Sequence, residues 1–417
     1  MQIQQCRTRS FQYRLSGLCL CWLVLSGAAT AQSWPQWGGP RRNFMVEAKG
    51  LAETWPTGGP KRLWSRPLGE GHSSIIVEAN RLYTMYSKGE QEFVIALDRA
   101  TGKTVWEKSY AAPTTRMKLF TERGPHATPL IAGNLLITVG VTSKLQAFEK
   151  QTGAVVWSHD LWREYGGTVK DRGYSCSPLA YKNTVIVTVG GAGQSLMAFD
   201  LKTGAVVWKK QSFRISFSTP TLINVDGQEQ LVMAFADDVV GLDPNNGELL
   251  WRHPHQCQGF NITAPVWGAD NILFISSAYE CGSRALQLRQ AAGKTAVKEL
   301  WANQRMRVHH GTVIRLDDLV FGSSGSGPAP LTAINVKTGE VVWQDRAFPK
   351  ANFVYADGKL ILLDEDGQLA LTSLSPQGLK VLAKAAVLEN ISWTPPTLVG
   401  TNLYLRDRRT IVALDLR

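Results

Sequence analysis

The stretch AFDLKTGAVVWKKQ (residues 198–211) decides the fold, because close copies of it recur along the chain. It reads as a strand ending in Asp200, a turn through Thr203-Gly204 and a second strand ending in Trp208. Clear copies are ALDRATGKTVWEKS (96–109), AFEKQTGAVVWSHD (147–160), GLDPNNGELLWRHP (241–254) and AINVKTGEVVWQDR (333–346). A copy lengthened by an insertion is QLRQAAGKTAVKELWAN (287–303), and SLSPQGLKVLAKAA (373–386) has lost the Trp.

The copies are spaced as the blades of a β-propeller are. Successive closing tryptophans lie 42 to 51 residues apart, and a period of ~40–50 residues built from short strands is typical of propeller blades. These tryptophans are Trp64, Trp106, Trp157, Trp208, Trp251, Trp301 and Trp343. The segments between the copies are apolar and rich in β-branched residues, as in LLITV and VIVTV, which favours strands.

The turn inside each copy has the chemistry of a tight hairpin. A side chain such as Asp200 can accept hydrogen bonds from the turn backbone, and the glycine supplies the positive φ that the turn needs. The turn glycines are Gly102, Gly153, Gly204, Gly247 and Gly339. Each closing Trp offers a wide apolar face and one N–H, which suits packing between neighbouring blades.

The chain contains eight such units, each beginning with a short approach segment of mostly small residues that leads into an inner strand. The approach segments are HSSII (72–76), HATPL (126–130), SCSPL (175–179), FSTPT (217–221), NITAP (261–265), HHGTV (309–313), KANFV (350–354) and WTPPT (393–397). The last unit lacks an outer strand, whereas KRLWSRPL (61–68) is an outer strand with no inner strands before it. We therefore predict an all-β, eight-bladed propeller over 61–417 whose N-terminal strand completes the C-terminal blade and so removes exposed sheet edges.

The first 31 residues have the pattern of a secretory signal peptide. Three arginines precede a short apolar run, and ATA (29–31) precedes Gln32. The apolar run is short for a bilayer span, no later stretch approaches ~20 apolar residues, and no Cys follows a small residue as a lipoprotein signal requires. We expect a periplasmic or secreted protein with no transmembrane segment after cleavage, in which residues 32–60 form an extended N-terminal arm.

The charge and the cysteine content limit which partners the protein is expected to bind and how many disulfides it can form. The formal net charge of +11 falls by three with the signal peptide, and the remaining Lys and Arg are dispersed. A solvated basic surface is therefore favoured over a nucleic-acid site. Only Cys176, Cys257 and Cys281 remain in the exported chain, which allows at most one disulfide and one free thiol.

The repeat A-x-D-x-x-T-G-x-x-x-W resembles that of the pyrroloquinoline quinone (PQQ) propellers. That group includes the quinoprotein alcohol dehydrogenases and the propeller lipoprotein of the outer-membrane β-barrel assembly machinery. The likeness covers essentially the whole exported chain, and WPQWGGPRRN (34–43) also resembles the arm of exported propellers of this kind. The repeat is specific for the architecture, but many propellers that carry it bind no quinone.

If the resemblance extended to the dehydrogenases, it would imply PQQ with calcium, a carboxylate base and a disulfide between adjacent cysteines. The sequence has no Cys-Cys pair. Glu122, Asp171 and Glu280 are the nearest candidates for a cation ligand or a base, but none lies in a context like the enzyme motifs, and we expect no catalytic residue.

Functional residues are expected where the repeat stops, in the long connections 112–126 and 161–176 and at the approach segments, which line one end of the channel. Cationic, aromatic and amide groups there suit an anionic, glycan or peptide ligand, or else they simply bond loop backbone and solvent. The candidate channel-mouth residues are Arg116, Arg123, His126, Arg172, Tyr174, Asn261, His309 and Trp393, with Lys118, Arg163, Lys170 and His310 beside them. Because adjacent strand residues point to opposite sides, at most one of His309 and His310 is expected to face the channel.

HPHQC (253–257) is the best metal candidate, since His253, His255 and Cys257 can point the same way along an extended segment. An ordinary polar loop is favoured over a metal site. Cys257 has a competing use in a disulfide with Cys281, and we leave that pairing open.

Three functions remain. The leading hypothesis is an exported, monomeric ligand- or protein-binding scaffold without catalysis of its own. The second is a PQQ- and calcium-dependent dehydrogenase of periplasmic alcohols or sugars. The third is docking to an envelope protein, as in outer-membrane protein assembly.

Overall fold

The computed structural model describes residues 33–114, 117, 123–168, 170–257, 259–325 and 329–417. The predicted signal peptide and Arg116 lie outside the described residues. The described strands form eight four-stranded antiparallel sheets around a central channel, which confirms the eight-bladed propeller. Each sheet runs in chain order from an inner strand at the channel to an outer strand, except in the last blade.

The strands are numbered in chain order, and β1 is Lys61–Pro67. Blade 1 holds β2 to β5: Ile76–Glu78, Arg81–Lys88, Gln91–Asp98 and Thr104–Ala111. Blade 2 holds β6 to β9: Leu130–Ala132, Leu135–Val139, Lys144–Glu149 and Val155–Asp160, followed by the short helix α1, Leu161–Tyr165. Blade 3 holds β10 to β13: Leu179–Tyr181, Thr184–Thr188, Leu196–Asp200 and Val206–Lys210. Blade 4 holds β14 to β17: Thr221–Val225, Gln228–Ala234, Asp238–Leu242 and Leu249–Pro254.

Blade 5 holds β18 to β21: Val266–Gly268, Ile272–Ser277, Gly282–Ala291 and Lys294–Asn303, with a 3₁₀ turn at Ala269–Asn271. Blade 6 holds β22 to β25: Val308–Leu316, Leu319–Ser324, Leu331–Asn335 and Val341–Asp345. Blade 7 holds β26 to β29: Ala351–Ala356, Lys359–Asp364, Gln368–Ser375 and Gly378–Ala386. Blade 8 holds β30 to β32: Thr397–Val399, Asn402–Arg406 and Thr410–Asp415.

The N-terminal strand closes the ring as the sequence predicts. β1 pairs antiparallel with β32, so blade 8 is built from both ends of the described chain. The side chain of Arg406, which is fully buried, crosses from blade 8 into blade 1 and donates to the carbonyl oxygens of Ser73 and Met85 at 3.2 and 2.7 Å. A buried guanidinium that satisfies several carbonyls in this way ties the first blade to the last.

Neighbouring blades are joined on the outer side by contact between a closing Trp and the turn glycine of the next blade. A Cβ at Gly204 would lie 2.8 Å from the ring of Trp157, and this glycine has φ of +72°. The same pairing recurs for Gly102 with Trp64, Gly153 with Trp106, Gly247 with Trp208 and Gly339 with Trp301. Only glycine therefore fits the turn, because the position needs both a left-handed backbone and no side chain.

The indole N–H groups add a hydrogen bond to most of these contacts. They donate to backbone carbonyls of the following blade: Trp64 to Arg99 (3.0 Å), Trp106 to Lys150 (2.9 Å), Trp157 to Leu201 (2.9 Å), Trp301 to Val336 (2.7 Å) and Trp343 to Ser375 (3.1 Å). Trp251 departs from the pattern and donates to Gln230 of its own blade at 2.7 Å. The following hairpin, of β20 and β21, is the one lengthened by the insertion.

On the channel side, hydrogen bonds join each approach segment to the next around the whole ring. In blade order they are Ser73 Oγ to Ala127 O (2.8 Å), Thr128 N to Ser177 Oγ (3.0 Å), Ser177 N to Thr219 Oγ1 (3.1 Å), Ser218 Oγ to Thr263 O (3.0 Å), Thr263 Oγ1 to His309 O (3.4 Å), Thr312 N to Asn352 Oδ1 (2.9 Å), Asn352 Nδ2 to Trp393 O (2.9 Å) and Thr394 Oγ1 to His72 O (3.1 Å). We call this set the inner belt. It accounts for the small hydroxyl residues of the approach segments, which have to reach a neighbouring backbone at close range.

The N-terminal arm crosses the channel at the end where the inner strands finish. Its Arg42 donates to the carbonyl of Ala180 in blade 3 at 3.2 Å. Two residues later, Phe44 accepts from the backbone N–H of Tyr355 in blade 7, which lies opposite blade 3 in a ring of eight. The arm bends through consecutive turns at 37–42 and buries Trp34, so it is folded onto the propeller.

Replacing Gly204 with Ala tests the contact between blades. We expect the free energy of unfolding to fall by about 2–4 kcal/mol, since the new methyl group meets both a left-handed backbone and the Trp157 ring. Gly358→Ala is the matched control, because its φ is +71° and a Cβ there has no atom within 4 Å. The control should lose only about 1 kcal/mol in urea denaturation. Equal losses would show that the Trp157 contact adds nothing.

Candidate functional site: the channel mouth

The first residues of the approach segments meet at the channel end opposite the arm. In blade order they are His72, His126, Ser175, Phe217, Asn261, His309, Lys350 and Trp393, of which all but Asn261 and Lys350 line the cavity described below. Because the inner belt bonds the following residues of each segment to one another, it holds these first residues in a circle. The circle is therefore a direct product of the repeat.

Aromatic and imidazole rings pack in stacked, tilted or edge-to-face pairs around most of this circle. The centroid distances are His126–His72 5.8 Å, His72–Trp393 5.3 Å, Trp393–His310 4.5 Å, His310–His309 4.8 Å, His309–Tyr279 5.3 Å, Tyr279–Phe260 5.4 Å and Phe260–Phe217 6.3 Å. We call these eight residues the mouth cluster. Between its two ends, His126 and Phe217, the cavity wall is completed by Arg172 and two serines.

Cationic groups lie against the mouth cluster. Lys170 Nζ is 4.2 Å from the centroid of Phe217, and Lys350 Nζ is 5.1 Å from that of Trp393. These are cation–π distances. Lys350 also approaches His310 Nε2 at 3.2 Å. Burial and then the charge of Lys350 hold the pKa of His310 well below its usual range, so this imidazole stays neutral next to the ammonium.

A cavity of about 430 Å³ extends from the mouth cluster to the arm. Its described lining contains histidine, aromatic, hydroxyl and arginine side chains but no aspartate or glutamate. An acid beside the cluster, Glu365, accepts from the indole N–H of Trp393 at 3.0 Å and is 3.8 Å from Lys350. The cavity thus combines apolar ring faces with positive charge, which is the chemistry of a site for an anionic ligand.

One expectation about the histidines is wrong. Both His309 and His310 line the cavity, although they are adjacent in β22. The pairing of β22 with β23 breaks between Val308 and Val313, so simple alternation does not hold across the two histidines.

The predicted mouth residues separate into two groups. His126, Arg172, His309 and Trp393 line the cavity. Tyr174 does not, because it is buried in the core and donates to the carbonyl of Val189 at 3.0 Å.

Two further predicted residues also lie away from this cavity. Asn261 is buried and bonds the backbone of Phe235, so it acts as a structural support. Arg123 lines a separate cavity on the side of blade 1. Arg163 lies on α1, beside Asp160 and outside the cavity lining. Arg116 and Lys118 lie outside the described residues.

The sequence interpretation missed His72, Phe217, Phe260, Tyr279 and Lys350. A signal for three of them was present, because His72, Phe217 and Lys350 each occupy the first position of an approach segment. Aligning the eight segments and reading that column gives the circle directly. Tyr279 carried no such signal, because it lies in the turn between β19 and β20.

The HPHQC segment holds a disulfide. Cys257 is bonded to Cys281 with their Cα atoms 5.3 Å apart, so its sulfur is not available as a thiolate ligand. His255 accepts from Arg284 Nε at 3.0 Å, and burial lowers its pKa to about 3. The remaining cysteine, Cys176, is buried and free, and burial raises its pKa to about 11. Among the described residues, no cluster of histidine, cysteine and acidic groups has the arrangement of a metal site.

A buried carboxyl group lies beside the second cavity, which has a volume of about 600 Å³. Glu92 of blade 1 accepts from Tyr110 Oη at 2.8 Å and from the backbone N–H of Val141 in blade 2 at 3.0 Å. Burial raises its pKa to about 7, and the two hydrogen bonds offset this only in part. Glu92 therefore gives the junction of blades 1 and 2 a pH dependence that the sequence did not reveal.

Comparison with known proteins gives a family match. The profile of the family described as outer membrane protein assembly factor BamB matches residues 90–345, which is more than half of the chain. The chain is 24% identical over 286 residues to an alcohol dehydrogenase (quinone), dehydrogenase subunit, of Acetobacter aceti, covering 58% of this chain and 35% of that protein. It is 22% identical over 237 residues to outer membrane protein assembly factor BamB of Yersinia pestis, covering 52% and 55%. The chain thus spans about a third to a half of the length of these relatives.

Solved structures agree with the fold. BamB from Moraxella catarrhalis superposes with a TM-score of 0.60 at 19% identity, covering 85% of this chain and 97% of that one. Quinohemoprotein alcohol dehydrogenase from Comamonas testosteroni superposes with a TM-score of 0.65 at 12% identity, covering 94% and 81%. At these identities the likeness establishes the propeller alone. In the described part of the chain, neither short helix has the length and apolar character needed to cross a bilayer.

The raised pKa of the buried Glu92 carboxyl group predicts how the free energy of unfolding changes with pH. Unfolded Glu92 loses its proton near pH 4.5, whereas folded Glu92 keeps it to about pH 7. The folded state therefore binds more protons in this window, and stability falls as pH rises through it. Relative to Glu92→Gln, wild-type protein should lose about 3 kcal/mol of unfolding free energy between pH 4.5 and 7. The exposed neighbour variant Glu90→Gln is the control and should follow the wild type in urea denaturation. If the free energies of unfolding of the wild type and of Glu92→Gln changed with pH in parallel, the raised pKa assigned to Glu92 would be contradicted.

Proposed function

The chain belongs to the family of outer membrane protein assembly factor BamB, and on that premise we propose that it is an exported binding module of the cell envelope with no catalysis of its own. The mouth cluster and the cavity below it form its ligand site. The ligand is an anion with an apolar face, presented either as a small molecule or as a segment of an envelope protein.

The observation that carries this proposal is the composition of the cavity wall. Rings that pack around the mouth leave faces and edges for an apolar group, and cation–π contacts already hold two lysines beside them. The absence of a carboxylate from the described lining means that an entering anion meets no like charge. Cations and aromatic rings that converge on one concavity favour anion binding over a purely structural role.

The relatives support a place in the envelope. Members of the matched family are described as outer membrane protein assembly factors, and the predicted signal peptide would deliver the chain to the same compartment. Docking to an envelope protein is thus compatible with the mouth as the contact surface, since propeller ends commonly bind partners.

The second candidate is a quinone-dependent dehydrogenase, favoured by the likeness to the quinone-dependent alcohol dehydrogenases. The residues of this cavity do not fit a calcium-supported quinone. Calcium takes six to eight oxygen ligands with carboxylates prominent among them, whereas the described lining offers imidazoles and no carboxylate. Asp171 and Glu280 are not part of the lining, Glu122 lies outside the described residues, and the chain has no adjacent cysteine pair. We therefore derive no redox step.

Binding of 2-naphthoate tests the proposed site, because this probe has one flat apolar body and one carboxylate. We expect the wild type to bind it and Trp393→Ala to bind it about tenfold or more weakly, since a stacking face and the Lys350 contact are lost. The matched control is Trp162→Ala on α1, whose side chain is 43% exposed and lies outside the cavity lining. Isothermal titration calorimetry gives the three dissociation constants.

Two outcomes would contradict the proposal. One is naphthoate binding that is the same in Trp393→Ala and Trp162→Ala, which would place the anion elsewhere. The other is stoichiometric PQQ uptake in the presence of calcium with alcohol-dependent reduction of a dye acceptor, which would make the dehydrogenase the better account.

A further inference from the structure

The N-terminal arm forms the floor of the cavity whose opening is the mouth cluster. Five residues from one short stretch of the arm contribute to the lining of the cavity: Trp37, Arg41, Arg42, Asn43 and Phe44. The arm is held there from opposite sides of the ring, by blade 3 through Arg42 and by blade 7 through the backbone of Phe44. A ligand that fills the cavity from the mouth therefore ends against the arm.

Arg42 is the more buried of the two arginines that this floor offers. Its guanidinium is half-buried, and its one hydrogen bond to the described residues runs from Nη2 to the neutral carbonyl of Ala180 at 3.2 Å. Burial lowers the pKa of Arg42, and no acidic side chain counters that effect. A partly desolvated cation without a carboxylate beside it is unfavourable unless an anion joins it.

The preceding arginine shows the contrast. Arg41 lies on the same turn, but its guanidinium is 3.4 Å from Glu47 of the arm, and its side chain is 60% exposed. Its charge is thus partnered within the arm and screened by water. The two adjacent arginines therefore differ in burial and in charge partner.

The conformation of the turn holds Arg42 in place. Arg42 has φ of +57°, a left-handed value that is uncommon for a residue with a side chain. The backbone of Gly38 lies so close beneath it that a Cβ at Gly38 would be 2.6 Å from the Arg42 carbonyl carbon. The backbone of Arg42 is therefore held in a closely packed turn, and the residue lines the cavity from there.

From these observations we infer that Arg42 binds the anionic group of the ligand, and that the arm is a working part of the binding site. This inference rests on the proposed function, because it assumes that a ligand enters through the mouth. The ligand class is a small oxyanion, a carboxylate or a phosphate, joined to an apolar body. The oxyanion lies at the arm against Arg42, whose planar fork suits two oxygens, and the apolar body lies at the mouth cluster.

The experiment compares a charged probe with a neutral probe of the same shape. Dissociation constants of 2-naphthoate and of 2-naphthamide are measured by calorimetry for the wild type, Arg42→Gln and Lys49→Gln, the last being an exposed cation of the arm outside the cavity lining. Arg42→Gln should weaken naphthoate about tenfold to a hundredfold, because a charge-assisted contact is lost, and it should leave naphthamide unchanged. Lys49→Gln should bind both probes as the wild type does. Melting temperatures show whether each variant is folded.

A measurement on the wild type keeps the test independent of variant folding. Inorganic phosphate is an oxyanion without an apolar body, so it should compete with naphthoate and leave naphthamide binding unchanged at matched ionic strength. If phosphate competed with neither naphthoate nor naphthamide, or competed equally with both, the inference would be overturned.

The outcomes also separate this inference from the proposed function. If Arg42→Gln binds naphthoate as tightly as Lys49→Gln while Trp393→Ala loses it, the mouth is a binding site and the role of Arg42 is refuted. If neither Trp393→Ala nor Arg42→Gln changes the dissociation constant of naphthoate, or if the wild type does not bind naphthoate, then the proposed site and the inference both fail.

Discussion

The inner belt is the constraint on which the rest of the structure depends. Eight hydrogen bonds join each approach segment to the next, and the last of them runs from Thr394 to the carbonyl of His72, so the set is closed. Buried hydroxyl and amide groups need partners, and here each finds one on the neighbouring blade. The closing Trp and the turn glycine perform the matching task on the outer side. Together they fix the number of blades and hence the width of the channel.

Because the belt fixes the backbone of the approach segments, most of their first residues can serve the cavity. Six of the eight line it, namely three histidines, Ser175, Phe217 and Trp393, whereas Asn261 is buried as a structural support. The repeat therefore supplies both the scaffold and the positions of the site, while the identity of the first residues decides the chemistry. This separation explains how one family profile covers assembly factors while likeness of fold extends to quinone-dependent dehydrogenases.

Much of the fold could be predicted from the sequence. The spacing of the tryptophans predicted the blades, and the unmatched strand KRLWSRPL predicted the ring closure. Both predictions were possible because the blades and their closure depend on a local sequence pattern that repeats. The site was less predictable. Tyr174 was expected at the mouth on the basis of its loop, yet its side chain turns into the core, and sequence position does not reveal that direction. His309 and His310 both face the cavity because β22 is irregular there, which alternation alone cannot foresee.

The most direct test of the account is a crystal structure of the protein soaked with 2-naphthoate. The account predicts electron density for the probe inside the central cavity, with its rings against Trp393 and its carboxylate on the guanidinium of Arg42. Density for naphthoate only on the outer surface of the blades, with a cavity that contains solvent alone, would contradict it.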